Sequence, residues 1–128
     1  MDDLYTVSTQ FNGKTMRLQV VDTTIVPEKI VLNIPVKMML PPVLMIHGLW
    51  SSGITWDKMK AYLLNNGIYN YKPYQIASPS YESAREFTYN RSFIASYIDQ
   101  LIETCGNNRF SAGKVDIVGH SMGGILSR

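Results

Sequence analysis

An α/β fold built on a parallel sheet is what this sequence predicts, and three observations predict it. From Val43 onward, apolar runs of strand length alternate with stretches of helical periodicity, in the order strand, helix, strand, helix, strand, helix. Residues 43–46, Val-Leu-Met-Ile, are apolar on both faces, as central parallel strands are when helices cover the sheet from both sides. Two of the strand-like runs end in glycine-bearing turns, His47-Gly48 after the first and Gly119-His-Ser-Met-Gly123 after the last. With right-handed crossovers this makes a three-layer αβα arrangement, preceded by an antiparallel β segment.

Composition narrows the class. The 128 residues are 45% hydrophobic and 17% charged, the balance of a globular sequence long enough for a sizeable core, which implies one domain or part of one. The net charge of +2 comes from lysines and arginines scattered among acids, with no basic run, so no nucleic acid is expected as a partner. Met-Asp-Asp-Leu lacks the features of a signal peptide, and the longest apolar stretch, residues 36–46, is broken by Lys37, Pro41 and Pro42. No transmembrane segment is therefore expected, and the compartment is left open, with the cytoplasm as default. A lone Cys105 excludes an internal disulfide and reads as a buried, inert thiol on a helix face.

In chain order, Asn12-Gly13 is the dipeptide preferred in a two-residue hairpin turn. Counting outward pairs Phe11 with Lys14, Thr9 with Met16, Val7 with Leu18 and Tyr5 with Val20, giving a ribbon with one apolar, buried side. Ile30, Leu32 and Ile34 alternate as a third strand. Residues 1–35 thus form an antiparallel segment, either the start of the main sheet or the end of a preceding β domain, and residues 36–128 hold the α/β part. Pro41-Pro42 forces extended backbone before the strand at 43–46. Ser52 or Thr55 can cap a helix with Trp56, Met59, Leu63 and Leu64 on one face and Gly67 as its stop. Residues 74–77 form a short strand and 78–87 a loop. A helix over 90–105 repeats Phe93, Ile94, Tyr97, Ile98, Leu101, Ile102 and Cys105 at helical spacing, with Gly106 after its end. Residues 115–118 are the last strand.

The candidate chemistry lies directly after that last strand. Gly119 and Gly123 allow a turn too tight for a Cβ, Ser121 sits at its tip, and the backbone N–H of Met122 lies behind it at a helix start. Alone, Gly-x-Ser-x-Gly is weak, arising by chance in roughly one chain in twenty-five of this length. Between a strand and a helix, with a second strand ending in His47-Gly48-Leu49 upstream, it is far more specific. Over residues 41–128 the pair of motifs resembles the α/β-hydrolase superfamily, and within it lipases and esterases with a single-glycine His-Gly-X oxyanion loop. The fold implied is the N-terminal part of an α/β-hydrolase.

That resemblance implies a serine hydrolase acting on carboxylic esters, lipid esters first, through an acyl-enzyme. Ser121 would be the nucleophile, and the N–H groups of Leu49 and Met122 the oxyanion hole. His47, Gly48, Gly119, His120, Gly123 and Gly124 would support the two turns, and Trp50 could wall an acyl pocket. Neither histidine is placed to act as base: His120 adjoins Ser121 on the turn, and His47 is expected to order its loop by hydrogen bonding. Triads of this kind run Ser, then Asp or Glu, then His, so acid and base are expected beyond Arg128, and the 128 residues alone are expected to be inactive. Asp57, Asp99, Glu103 and Asp116 read as surface charges. Trp56, Tyr81 and Tyr97 read as packing. No cofactor is implied, and the histidines lack metal-ligand spacing and flanking carboxylates.

Two other readings stand beside this one: an acyltransferase or thioesterase, whose turns can also read Gly-His-Ser-x-Gly, and a non-catalytic module that kept the scaffold to bind a partner. The strand at 115–118 is expected to be the sheet's edge, apolar apart from Asp116, and therefore a place for self-association.

Overall fold

The computed structural model describes residues 14–128 apart from Ile25 and Glu28. Two sheets are present among them. Strand β1 (Lys14–Asp22) pairs antiparallel with β2 (Lys29–Met38), setting Met16 opposite Val36, Leu18 opposite Ile34 and Val20 opposite Leu32, with a bulge between Val20 and Val21. The alternation read from the sequence therefore gathers apolar side chains on one face. The expected Asn12-Gly13 turn and the pairing of residues 5–11 with β1 lie outside the described residues. β2 runs without a break through Pro35, beyond the short strand expected at 30–34.

On the described half of the expected hairpin, the apolar side chains expected to be buried are exposed, Leu18 at 59%, and Ile34, opposite it on β2, is 42% exposed. A two-stranded ribbon can bury an apolar face only against a second layer, and no described element lies over this one.

The second sheet is parallel, with β3 (Val43–Ile46) between β4 (Ile76–Ala77) and β5 (Asp116–Gly119). This is the order the resemblance to α/β-hydrolases implies, and it leaves β5 with an open outer edge among the described residues. Alternation along β3 splits the core in two. Leu44 and Ile46 point toward α2 (Phe87–Asn107) and α3 (Met122–Leu126), packing with Ile94, Leu101, Cys105 and Leu126. Val43 and Met45 point the other way, toward Leu63 of α1 (Asp57–Asn65) and Tyr71. All four β3 side chains are buried, each contributing about 1.5–3 kcal/mol of transfer free energy, so β3 is the strand on which both helical layers rest.

Element ends differ from the sequence expectations, each for a local reason. Helix α2 starts at Phe87 and runs through Gly106 to Asn107. The left-handed residue that closes it is Arg109, at φ 60°, whose N–H bonds to Gly106 O at 2.9 Å while Phe110 N–H returns to Cys105 O at 2.9 Å. That pair of bonds satisfies the last carbonyls, so Gly106 is not needed as the stop. Pro73 opens a 3-10 turn, Pro73–Gln75, which shortens the expected strand at 74–77 to its last two residues. Neither Ser52 nor Thr55 caps α1 through its side chain; the helix continues directly from a 3-10 turn, Gly53–Trp56, and ends at Asn65, with Asn66 rather than Gly67 as its cap.

Candidate active site

The loops that follow β3, β4 and β5 gather at the carboxyl ends of the parallel strands, where open α/β sheets place their ligand sites. Local packing requires each turn to be as tight as it is. A Cβ on Gly119 would stand 2.6 Å from Gly124 N, and one on Gly123 would stand 2.3 Å from Ile46 O and 2.7 Å from His47 O. The first glycine lets α3 fold back over β5, and the second lets α3 lie against the end of β3. Side chains at those positions would push the helix off the sheet.

Between them Ser121 holds φ 53° and ψ −121°, a conformation that is costly for any residue with a Cβ and that marks functional turns. The turn is closed by Gly123 N–H to His120 O at 2.9 Å and Gly124 N–H to Ser121 O at 3.0 Å, and it is tied to β3 by His120 N–H to Ile46 O at 3.0 Å. Ser121 is exposed, and its hydroxyl makes no hydrogen bond among the described residues. Met122, the next residue, begins α3, and its N–H meets no acceptor there.

Gly48 brings the second turn to the same place. A Cβ on it would stand 3.0 Å from Ser121 Cβ and 3.1 Å from His120 Nδ1. Leu49 comes next, half exposed, with an N–H that also finds no acceptor among the described residues. The structure thus brings Gly48 against Ser121, from two stretches more than seventy residues apart, with Leu49 and Met122 the residues that follow each of them.

His47 is fully buried, and its ring is stacked on Tyr81 with centroids 4.1 Å apart. Nε2 accepts the Tyr81 N–H at 3.2 Å and Nδ1 lies 2.8 Å from Gly48 O. A carbonyl can only accept, so the partners assign the neutral Nδ1–H tautomer. With both nitrogens engaged, His47 has none left for a serine proton. His120 is exposed and flanks Gly48 on the same side as Ser121, without a hydrogen bond to it.

Tyr81, expected as packing alone, donates its O–H to His47 O at 2.6 Å; burial pushes its phenol up, keeping it a donor across the ordinary pH range. Ser83 Oγ accepts the Trp50 N–H at 2.8 Å, and Ser80 Oγ accepts the Gly53 N–H at 3.0 Å. These loop contacts were missed in the sequence. The available signal was a hydroxyl-rich run, Ser78-Pro-Ser-Tyr-Glu-Ser83, at the carboxyl end of the strand beside β3.

Trp50 holds φ 53° and its side chain is 86% exposed, so its indole is not part of the core. Asp57 sits 3.4 Å from Lys60 on the surface, and Asp99, Glu103 and Asp116 are exposed, as charges on solvated faces should be. No cluster of three or more His, Cys, Asp or Glu exists among the described residues that could hold a metal ion. Cys105 is buried against Tyr74 O, and burial pushes its thiol up, which disfavours the reactive thiolate. No helix of the described residues is long and apolar enough to cross a membrane.

Residues 43–128 match the sequence model of the alpha/beta hydrolase family, a span that starts at β3 and takes in both turns. No solved structure matches the chain.

Proposed function

Because this chain belongs to the alpha/beta hydrolase family, we propose that it carries the nucleophile and oxyanion hole of a serine hydrolase acting on carboxylic esters, with lipid esters as the first substrate class. The observation that carries the reading is the meeting of the two turns: Gly48 lies against Ser121, so a carbonyl attacked by Ser121 Oγ would have its oxygen between the N–H groups of Leu49 and Met122. Two unspent backbone donors beside an unspent hydroxyl at a strained turn suit acyl transfer, in which negative charge grows on one oxygen.

In that reaction Ser121 Oγ adds to the ester carbonyl, giving its proton to a base. The tetrahedral oxyanion collapses with loss of the alcohol, and water then releases the acid from the acyl-enzyme. His47 is spent on its loop and cannot be the base. His120 makes no hydrogen bond to Ser121, so the reading requires a base and a carboxylate that the described residues do not place beside Ser121. Exposed apolar side chains next to the turn, Leu49 and Trp50, favour an apolar acyl group over a charged one.

The test is a chromogenic ester assay on the chain and its Ser121→Ala partner. Without an added base the two are expected to proceed at the same rate. With imidazole supplied in solution, or in a protein whose coding sequence past Arg128 adds the histidine, only the Ser121 form should gain activity. In the complete arrangement Ser121→Ala should lose several orders of magnitude. Equal rates under all of these conditions would favour a module that binds without catalysis.

A further inference from the structure

We propose that Tyr81 is a positioning residue for the oxyanion hole, acting through His47 to set the direction of the Leu49 N–H; the inference rests on the Ser121 reading above. Three consecutive peptide units make up the turn after β3, and each is held by one group. The 47–48 unit is held at its carbonyl by the Tyr81 O–H at 2.6 Å. The 48–49 unit is held at its carbonyl by His47 Nδ1 at 2.8 Å. The 49–50 unit is held at its amide by Ser83 Oγ at 2.8 Å. Two of the three holders, Tyr81 and Ser83, come from the loop after β4.

The middle unit decides the chemistry. Its carbonyl belongs to Gly48 and its N–H to Leu49, and in a planar trans peptide these point in opposite directions. Turning the Gly48 carbonyl toward the His47 ring therefore turns the Leu49 N–H away from it. The hold works only if Nδ1 carries the ring proton, because an unprotonated Nδ1 would face the carbonyl lone pairs. Tyr81 enforces that state: its backbone N–H occupies Nε2 at 3.2 Å, leaving the proton to Nδ1. Its ring stacks on the imidazole and limits tilting, and its hydroxyl pins the preceding peptide, so one residue holds His47 at three points. All of this is buried, His47 being 0% and Tyr81 8% exposed, so deleting a donor leaves a buried carbonyl unpaired at a cost.

The donor's readiness can be read without turnover. A boronic acid forms a tetrahedral adduct when the serine oxygen donates a lone pair to boron and releases its proton to water, and one boronate oxygen then takes the place of the oxyanion. Phenylboronic acid is titrated into the 128-residue chain, Tyr81→Phe and Ser121→Ala, with thermal melting recorded for each. Tyr81→Phe deletes only the phenol O–H. It is expected to weaken the adduct about tenfold at temperatures where it is fully folded, whereas a purely structural role would lower the melting temperature and leave the affinity unchanged. Affinity within twofold of the parent in folded Tyr81→Phe overturns the proposal.

Ser121→Ala separates the two inferences, since undiminished boronate binding there, or none in the parent, counts against the Ser121 reading and not against the relay. The relay has its own measurement in the unaltered protein: imidazole 15N spectra should show His47 protonated at Nδ1 and bare at Nε2. The opposite tautomer overturns the proposal, even if Tyr81→Phe does not fold.

Discussion

A Cβ built on Gly48 would stand 3.0 Å from the Cβ of Ser121, so the two turns meet with no room for a further side chain between them. Gly48→Ala is the smallest test of that closeness. The added methyl meets Ser121 Cβ, His120 Nδ1 and His120 O together, and the turn after β3 must back away by a few tenths of an ångström. The expected outcome is a folded protein, destabilised by about 1 kcal/mol, with boronate uptake at Ser121 reduced by tenfold or more. Calorimetric titration and melting measure the two separately.

Gly123→Ala should behave differently, because its methyl would overlap backbone and no side chain can move aside. Ile46 O at 2.3 Å and His47 O at 2.7 Å belong to the buried end of β3. Displacing α3 from that strand should cost about 3 kcal/mol or more, visible as a large fall in the urea midpoint.

Ser121→Gly is expected to stabilise the chain. The φ of 53° strains any residue with a Cβ, and glycine adopts it freely, so a gain of about 1 kcal/mol in unfolding free energy should accompany complete loss of boronate uptake. Ser121→Val should go the opposite way. If the serine form is as stable as the glycine form, the turn is not strained.

Alkaline pH should destabilise the fold in steps. Burial raises the Cys105 thiol, and it raises the phenols of Tyr71 and Tyr81, the former also through the negative charge of Asp116. A group whose folded value lies above its unfolded value releases its proton first in the unfolded chain. Its contribution is therefore full below the unfolded value and is lost as pH rises from there through the folded one. The thiol window opens at about pH 8.5 and the phenol window at about pH 10. Melting temperature should be flat on this account just below the thiol window and fall above it, and an aromatic disulfide reagent should label Cys105 only as fast as the chain opens.

The outer edge of β5 should be an interaction edge. Asp116 N–H and His120 N–H both bond to β3 and the residues just before it, so alternation directs the N–H groups of Ile117 and Gly119 outward, where no described strand receives them. Concentration-dependent association in sedimentation is expected, with Ile117→Lys returning the chain to monomer. Strong exchange protection of the Ile117 and Gly119 amides in a dilute monomer would show that this edge is covered.

Much of the fold was legible because it rests on patterns local in sequence. The apolar Val43–Ile46 run, the helical repeat of Ile94, Leu101 and Cys105, and the glycines at 119 and 123 each report an environment through residue type alone. Strand order was legible only through the resemblance to α/β-hydrolases, since right-handed crossovers between parallel strands still allow more than one order. Helix and strand ends were less legible. Hydrogen bonds specify them, and Arg109 could close α2 in a left-handed conformation that residue preference would assign to Gly106.

The site divides along the same line. Residue type and spacing were enough to put Ser121 at the tip of a tight turn, because a turn without room for a Cβ needs glycine at set positions, and the resemblance to α/β-hydrolases, carried by the two motifs, supplied Leu49 and Met122 as its candidate companions. Packing in three dimensions was needed to bring Gly48 against Ser121, to occupy both nitrogens of His47, and to let Tyr81 and Ser83 hold the turn from another loop. A hydroxyl or an imidazole carries no mark in the sequence of which backbone group it will meet. That is set when β3, β4 and β5 align side by side and bring their following loops within hydrogen-bonding distance.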